Sequence, residues 1–494
     1  MTVPARPNNP SNRRRVPAQR QPNTTIDDVG GLPLITARLD SHGALEPGAE
    51  ATLLDALDAT AATDLLVFSH GWNTDNWTAD GRASDGLASD GRASDRRAPA
   101  GGPGSAPARA FFQAVPALLQ RFGQPGRRVA LLDLQWPGRR WSDEPLPGPA
   151  VTDGHEQASA SVFAFASVSA PPPPDETSRR VTRAAFGPEH RERVDELLGL
   201  LATRPDDSTA LKRARVLIRI LAESAPDAGD GERREVTSML EIDDPYPDQL
   251  FADFALRLSE LGVITDPDGG RAGFGDSVSR LWHGAQEAVR QLTYWQLKGA
   301  AVAAGEQGLG PLIGRLHARR PELGITLIGH GLGARAVGHG LRSLPPGAVR
   351  SVILMQAVLS HFAFADKLPF EPSRSGVLAG LQDRVTGPVV ACYSRHDTAI
   401  GVFYQLAARA AGPDTAGFET AGHRWAGLGQ DGHQPAAREF ALNPPGVSYD
   451  FARSGLVNID ASWVVGHGPP PSGAHADICH PELAWIALNA ADLC

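Results

Sequence analysis

The five residues GHGLG at 329–333 are the stretch whose residue types and spacing bear most directly on chemistry. An apolar run at 325–328 precedes them and an Ala/Val-rich segment follows. This pattern fits a strand that turns sharply into a helix, with glycines two residues on either side of the apex. Such glycines are needed where a strained apex brings strand and helix too close for side chains. The apex of this turn type ordinarily carries a nucleophilic serine. Here it is Gly331, so we expect covalent serine chemistry to be absent.

Two side chains further along the chain have the types needed for acid–base chemistry. Asp397 follows the apolar run Pro388–Ser394, and His475 follows the apolar run Val457–Asp460. A single Asp or His on a loop is usually a solvated surface residue. The chain order of apex, acid and histidine, however, is that of enzymes with a G-x-S-x-G turn. We therefore predict that Asp397 and His475 pair within hydrogen-bond reach, beside Gly331.

The C-terminal region also contains residue types that bind zinc. They are His467, His475, Asp477, Cys479 and His480. Imidazole, carboxylate and thiolate groups all ligate this metal, but the spacings match no standard zinc pattern. A zinc site is thus an alternative use of this region, and we assign no metal and no cofactor.

These residues need a scaffold that brings distant loops together. Short apolar runs alternate with helical patterns along the chain, and the runs begin at Asp64, Val129, Ile325, Val352, Pro388 and Val457. This alternation predicts an α/β protein with a mostly parallel, doubly wound sheet that is buried on both faces. Parallel strands place the loops after their carboxyl ends at one edge of the sheet, where ligands bind.

The motifs together resemble those of bacterial α/β-hydrolases that carry HGWN, a Trp-Pro pair after the following strand, GHSFGAR and GAHSDI. The counterparts here are HGWN at 70–73, Trp136-Pro137, GHGLGAR at 329–335 and GAHADI at 473–478. The resemblance covers roughly residues 30–75, 107–140 and 285–494. It implies an α/β-hydrolase fold in which Asp397 is the triad acid and His475 the general base.

The same resemblance implies backbone N–H groups that stabilise an oxyanion. They would lie in the turn at Gly71 and Trp72 and at Leu332. The chain departs from the family pattern at Gly331, where the serine should stand. Two functions remain open. One is a non-hydrolytic protein that binds a small ligand or a protein partner. The other is an active enzyme, either esterase-, lipase- or peptidase-like, or using His475 and Asp397 as a general-base dyad.

The resemblance, taken with composition and patterning, implies a hydrolase-like core with two insertions. We predict a disordered tail at 1–28, core segments at 29–139 and 286–494, a low-complexity loop at 78–106 and a helical cap with its linker at 140–285. The loop contains the repeat GRASD, GLASD, GRASD at 81–95. In the cap, amphipathic patterns predict helices at 188–204, 208–224 and 246–262.

Composition also limits the partners. The 494 residues carry 47 basic and 56 acidic side chains, giving a net charge of −9, which offers no footprint for nucleic acid or an anionic membrane. Lysine occurs only at 212, 298 and 367. No secretory signal follows Arg13-Arg14-Arg15, and no apolar run reaches membrane-spanning length. We therefore expect a soluble, cytoplasmic protein, with a small molecule or peptide as ligand in a pocket between core and cap.

Overall fold

A computed structural model describes residues 25–71, 106–138, 141, 172–223, 249–261, 263, 274–404, 426–434, 437–451 and 455–494. Trp72, the repeat at 81–95 and the predicted tail up to residue 24 lie outside these ranges.

The described residues form one sheet of nine strands. The strands are β1 (Thr25–Val29), β2 (Leu32–Arg38), β3 (Asp64–Ser69), β4 (Val129–Gln135), β5 (Gly324–His330), β6 (Ser351–Met355), β7 (Pro388–Tyr393), β8 (Arg438–Phe440) and β9 (Gly455–Asp460). Their order is β1-β2-β4-β3-β5-β6-β7-β9-β8, and within it only the β1–β2 pair is antiparallel. The predicted mostly parallel α/β sheet is confirmed.

The antiparallel edge differs from the sequence prediction. Residues 25–28, which we assigned to a disordered tail, form most of β1. The two-residue turn Gly30-Gly31 joins β1 to β2, and both glycines have positive φ angles of 59° and 91°. Consecutive glycines with positive φ are typical of a tight hairpin turn, so the sequence did contain the signal for this strand.

Helices cover both faces of the sheet and form a further layer. They are α1 (Ala49–Ala59), α2 (Ala106–Phe112), α3 (Val115–Phe122), α4 (Glu176–Phe186), α5 (Arg191–Thr203), α6 (Ser208–Glu223), α7 (Gln249–Glu260), α8 (Phe274–Ala303), α9 (Gly310–Arg319), α10 (Leu332–Gly340), α11 (Leu428–Asp431) and α12 (Pro481–Ala490). Successive residues of a strand contribute their side chains to cores on opposite faces of the sheet. Leu65 and Val67 of β3 lie in one apolar cluster, and Leu66 and Phe68 lie in the other. This alternation is the period-two pattern of a strand buried on both sides.

The helices α4 to α8 bury their apolar faces in a third cluster. Among them, α5, α6 and α7 lie within the three segments whose amphipathic patterns predicted helices. The 30-residue helix α8 is about 45 Å long at 1.5 Å per residue. Its first part contributes Trp282 and Val289 to the third cluster, and its last turns contribute Leu297 and Ala301 to the sheet core. The helix therefore connects the two layers.

Candidate active site

The site lies where β3 and β5 end side by side. These strands are parallel and in register up to Ser69 and Gly329, so the next residues of each chain segment also lie together. An added Cβ on Gly71 would lie 3.5 Å from the Cα of Gly331. After β3 the chain forms β4, which lies on one side of the β3–β5 pair. After β5 it forms β6, which lies on the other side of that pair. A change of direction of this kind opens a crevice at the carboxyl ends of the strands.

The turn from β5 into α10 has a strained apex. Gly331 has φ 57° and ψ −119°, a conformation that L residues with side chains rarely adopt. A Cβ on Gly329 would collide with the backbone of Ala334, and one on Gly333 with the carbonyl oxygen of Ser69. Both flanking glycines are therefore required by the close approach of strand and helix, as the sequence pattern predicted.

The structure brings Asp397 and His475 together. His475 Nδ1 lies 2.8 Å from Asp397 Oδ2, and both side chains are buried, with exposures of 3% and 0%. An added Cβ on Gly331 would lie 3.0 Å from His475 Nε2. One ring nitrogen thus faces the carboxylate and the other faces the apex. This is the arrangement of a base that is oriented by an acid and directed at a nucleophile position.

The second oxygen of Asp397 has a structural partner. Asp397 Oδ1 accepts a hydrogen bond of 3.0 Å from the backbone N–H of Ile400, in the π-helical turn Ala399–Tyr404. The carboxylate therefore orients His475 with one oxygen and holds the start of this turn with the other. Single π-helical turns occur frequently at functional sites.

Two neutral histidines lie next to these groups. His330 Nε2 donates to the backbone carbonyl of His475 over 2.7 Å, and burial together with the charge of His475 lowers the pKa of His330 to about 3. His70 stacks on Trp136, and burial lowers the pKa of His70 to about 3. Both rings are therefore uncharged near neutral pH. His330 fixes the backbone of His475 without adding a competing positive charge.

The predicted oxyanion donors are only partly described. Leu332 is the first residue of α10, and the N–H groups of a first helical turn have no acceptor within the helix. Gly71 lies against the apex, as its contact with Gly331 indicates. Trp72 lies outside the described residues. The N-terminus of α10 and the residues that follow β3 thus both lie beside Gly331.

The residues of the alternative zinc site have other partners. His480 Nε2 lies 2.7 Å from Asp477 Oδ1, and His475 is paired with Asp397. Burial raises the pKa of the Cys479 thiol to about 12, which disfavours the thiolate that zinc requires. Within the described ranges, no group of three or more His, Cys, Asp or Glu side chains could hold a metal ion.

A cavity opens beside His475 and Leu332. One wall is a face of α8 formed by Glu287, Gln291, Tyr294, Trp295 and Lys298. The facing wall includes Val358, Ile400, Phe403 and Tyr404. The cavity is mostly apolar, with polar groups at separate points along it.

Sequence analysis did not identify the α8 wall or Ser472, which also lines the cavity. The positions 287, 291, 294, 295 and 298 follow the helical spacing that places residues on one face. That spacing was visible in the sequence, but it is equally typical of a helix that packs into a core. Only the tertiary structure shows that this face borders a cavity.

Comparison of the chain with family models, with curated proteins and with solved structures gave no match. Within the part of the chain that the structure describes, no helix is both long enough and apolar enough to cross a bilayer.

Proposed function

We propose that this chain is an α/β-hydrolase-fold protein that has lost the nucleophile and binds a small apolar ligand in the cavity beside its acid–base pair. One observation carries the proposal. His475, paired with Asp397, faces a strained apex that bears no side chain, and His475 and Leu332, the residue after the apex, both line the cavity. The strand–turn–helix context of the apex and the chain order of apex, acid and base support the assignment to this fold.

The missing side chain argues against ordinary ester hydrolysis. A serine hydrolase without its nucleophile retains only about 10³–10⁴-fold acceleration over water, from the oxyanion donors and binding. Two serines that follow β6 and β7 make contacts with the backbone. Ser394 Oγ donates to the carbonyl of Val465 over 2.6 Å, and Ser360 Oγ accepts from the N–H of Phe362 over 3.2 Å. Ligand binding needs only the cavity.

Chemical labelling and a binding assay together test this proposal. We expect the wild-type protein to remain unlabelled by a fluorophosphonate probe and to hydrolyse p-nitrophenyl butyrate no faster than His475→Ala. We expect it to bind Nile red, an uncharged apolar fluorophore, at one saturable site. Ala399→Phe, which fills the cavity, should weaken binding, whereas Ala51→Phe on the exposed face of α1 should not. Stoichiometric labelling, or Nile red binding that is unaffected by Ala399→Phe, would contradict the proposal.

A second candidate function is general-base catalysis by the His475–Asp397 dyad. The orientation of His475 Nε2 toward the empty apex favours it, because a water molecule there could be deprotonated without a serine. This route predicts slow hydrolysis of p-nitrophenyl butyrate without an initial burst and without a covalent adduct. The activity should be lost in both His475→Ala and Asp397→Asn. Equal rates in these variants and the wild type would exclude it.

A further inference from the structure

A second His–Asp pair lies apart from the candidate site. His361 Nδ1 lies 2.9 Å from Asp431 Oδ2, and the two side chains are 0% and 35% exposed. Asp431 is the last residue of α11, a helix of only four residues. Because a helix this short is not stable by itself, tertiary contacts must hold it in place. The contact of Asp431 with the buried imidazole is one of them.

Backbone hydrogen bonds join the same two parts of the chain. The N–H of His361 donates to the carbonyl of Ala426 over 3.1 Å, and the N–H of Gln434 donates to the carbonyl of His361 over 2.9 Å. The segment 426–434 is therefore fixed near both of its ends to the loop that follows β6. Between these ends, Asp431 binds the side chain of the same histidine.

The segment 426–434 packs against the π-helical turn that lines the cavity. An added Cβ on Gly427 would overlap Cγ2 of Ile400. Ile400 lines the cavity, and its N–H donates to Asp397 Oδ1 over 3.0 Å. The π-helical turn is thus held by the catalytic-type acid on one side and by this segment on the other. A displacement of the segment would move a cavity wall and the carboxylate that orients His475.

We infer that Asp431 is a positioning residue for the cavity and for the Asp397–His475 pair, and that it acts through His361 and the segment 426–434. The part that concerns the cavity rests on the proposed function. The part that concerns the acid–base pair rests on its geometry alone. Removal of the Asp431 carboxylate leaves a buried imidazole N–H without that acceptor, which is costly. The segment then loses an anchor, and the π-helical turn loses its support.

Nile red binding tests the effect on the cavity, which Asp431 itself does not line. We expect Asp431→Ala to weaken binding about fivefold or more, because a hydrogen bond to a charged group is lost. Asp431→Asn keeps an oxygen that accepts from the imidazole and should restore most of the affinity. Asp366→Ala removes an exposed carboxylate elsewhere, and this matched control should bind as the wild type does.

Gly427→Ala tests the step between the segment and the cavity wall. Gly427 has φ −92°, which residues with side chains adopt readily, so the added methyl group acts through its contact with Ile400. We expect it to push Ile400 toward the cavity and to weaken Nile red binding about fivefold or more. Gly199→Ala is the control, because a Cβ at this position in α5 meets open space.

Proton NMR tests the effect on the acid–base pair without any ligand. The Nδ1 protons of His475 and His361, each bonded to a carboxylate, should give separate downfield signals. The loss of one signal in His475→Ala and of the other in His361→Phe assigns them. We expect Asp431→Ala to shift or broaden the His475 signal, and Asp366→Ala to leave it unchanged.

The outcomes separate this inference from the proposed function. If the wild type does not bind Nile red, the proposed function fails, and the His475 signal still tests the positioning role. If Asp431→Ala lowers the free energy of unfolding but changes neither Nile red binding nor the His475 signal, Asp431 is merely structural and the inference is overturned. Gly427→Ala keeps the His361–Asp431 pair and decides the matter if Asp431→Ala does not fold. Unchanged binding and an unchanged His475 signal in Gly427→Ala would also overturn the inference.

Discussion

At the apex of the β5–α10 turn, a hydrogen atom stands where a side chain would meet His475. The ring of His475 is held from two sides, since Asp397 binds Nδ1 over 2.8 Å and His330 binds the backbone carbonyl over 2.7 Å. The space in front of Gly331 is therefore bounded by fixed groups. Under the proposed function, these fixed groups serve to bind a ligand.

Adding a side chain at the apex should reduce stability measurably. Gly331 has a positive φ, and a Cβ there would lie 3.0 Å from His475 Nε2, so the pinned ring must shift by a few tenths of an ångström. We expect Gly331→Ala and Gly331→Ser each to lower the free energy of unfolding by about 1–3 kcal/mol. The resemblance to serine-bearing family members alone suggests a smaller cost. Guanidinium denaturation measures it, and unchanged stability would show that the apex is not strained.

At the level of elements, the strand–turn–helix geometry depends on the glycines that flank the apex. Gly333→Ala introduces a Cβ against the carbonyl oxygen of Ser69, so β3 and α10 must separate. We expect a loss of about 1–3 kcal/mol or more in the free energy of unfolding.

Gly314→Ala is the matched control for this substitution. Gly314 lies inside α9, and an added Cβ would meet its nearest neighbour, Pro345, at an ordinary 3.6 Å. We expect this variant to be stabilised by about 0.4–1 kcal/mol, because alanine restricts the unfolded chain. If denaturation curves of the two variants moved in the same direction, the close approach of β3 and α10 would be refuted.

The elements that could be predicted from sequence are those with a strong local pattern. The central strands read as apolar runs, and the spacing of Gly329 and Gly333 indicated the sharp turn. The strand β8 was missed because its three residues are not fully buried and show no clear alternation of apolar and polar side chains. The cavity wall on α8 was missed for a different reason. Whether a helical face borders a core or a cavity depends on residues distant in sequence, such as Phe403 and Tyr404.

On the scale of the whole molecule, buried histidines should make stability depend on pH. Burial lowers the pKa of His70, His330 and His433 to about 3, whereas an unfolded histidine titrates near 6.5. Between these values the unfolded chain binds more protons than the folded one. The stabilisation is fully present above pH 6.5, and we expect it to be lost as the pH falls from there toward 3.

His433→Leu isolates one contribution to this dependence. The ring of His433 packs against Phe364, and its backbone, which the substitution leaves unchanged, is bonded to the side chain of Asn458. Each such histidine contributes at most about 1.4 kcal/mol per pH unit in this window. Denaturation between pH 7 and pH 4.5 should therefore show a shallower loss of stability in the variant. Parallel curves for the two proteins would contradict a neutral buried His433.

We propose that, relative to a serine hydrolase, the site lacks only the nucleophile. Fluorophosphonate labelling of Gly331→Ser tests it most directly, with the wild type, Gly331→Ala and the double variant Gly331→Ser/His475→Ala as controls. We predict stoichiometric labelling at residue 331 of Gly331→Ser and none in the three controls, because only that variant combines an oxygen at the apex with the base that activates it. A Gly331→Ser protein that is folded, binds Nile red and yet remains unlabelled would contradict the claim.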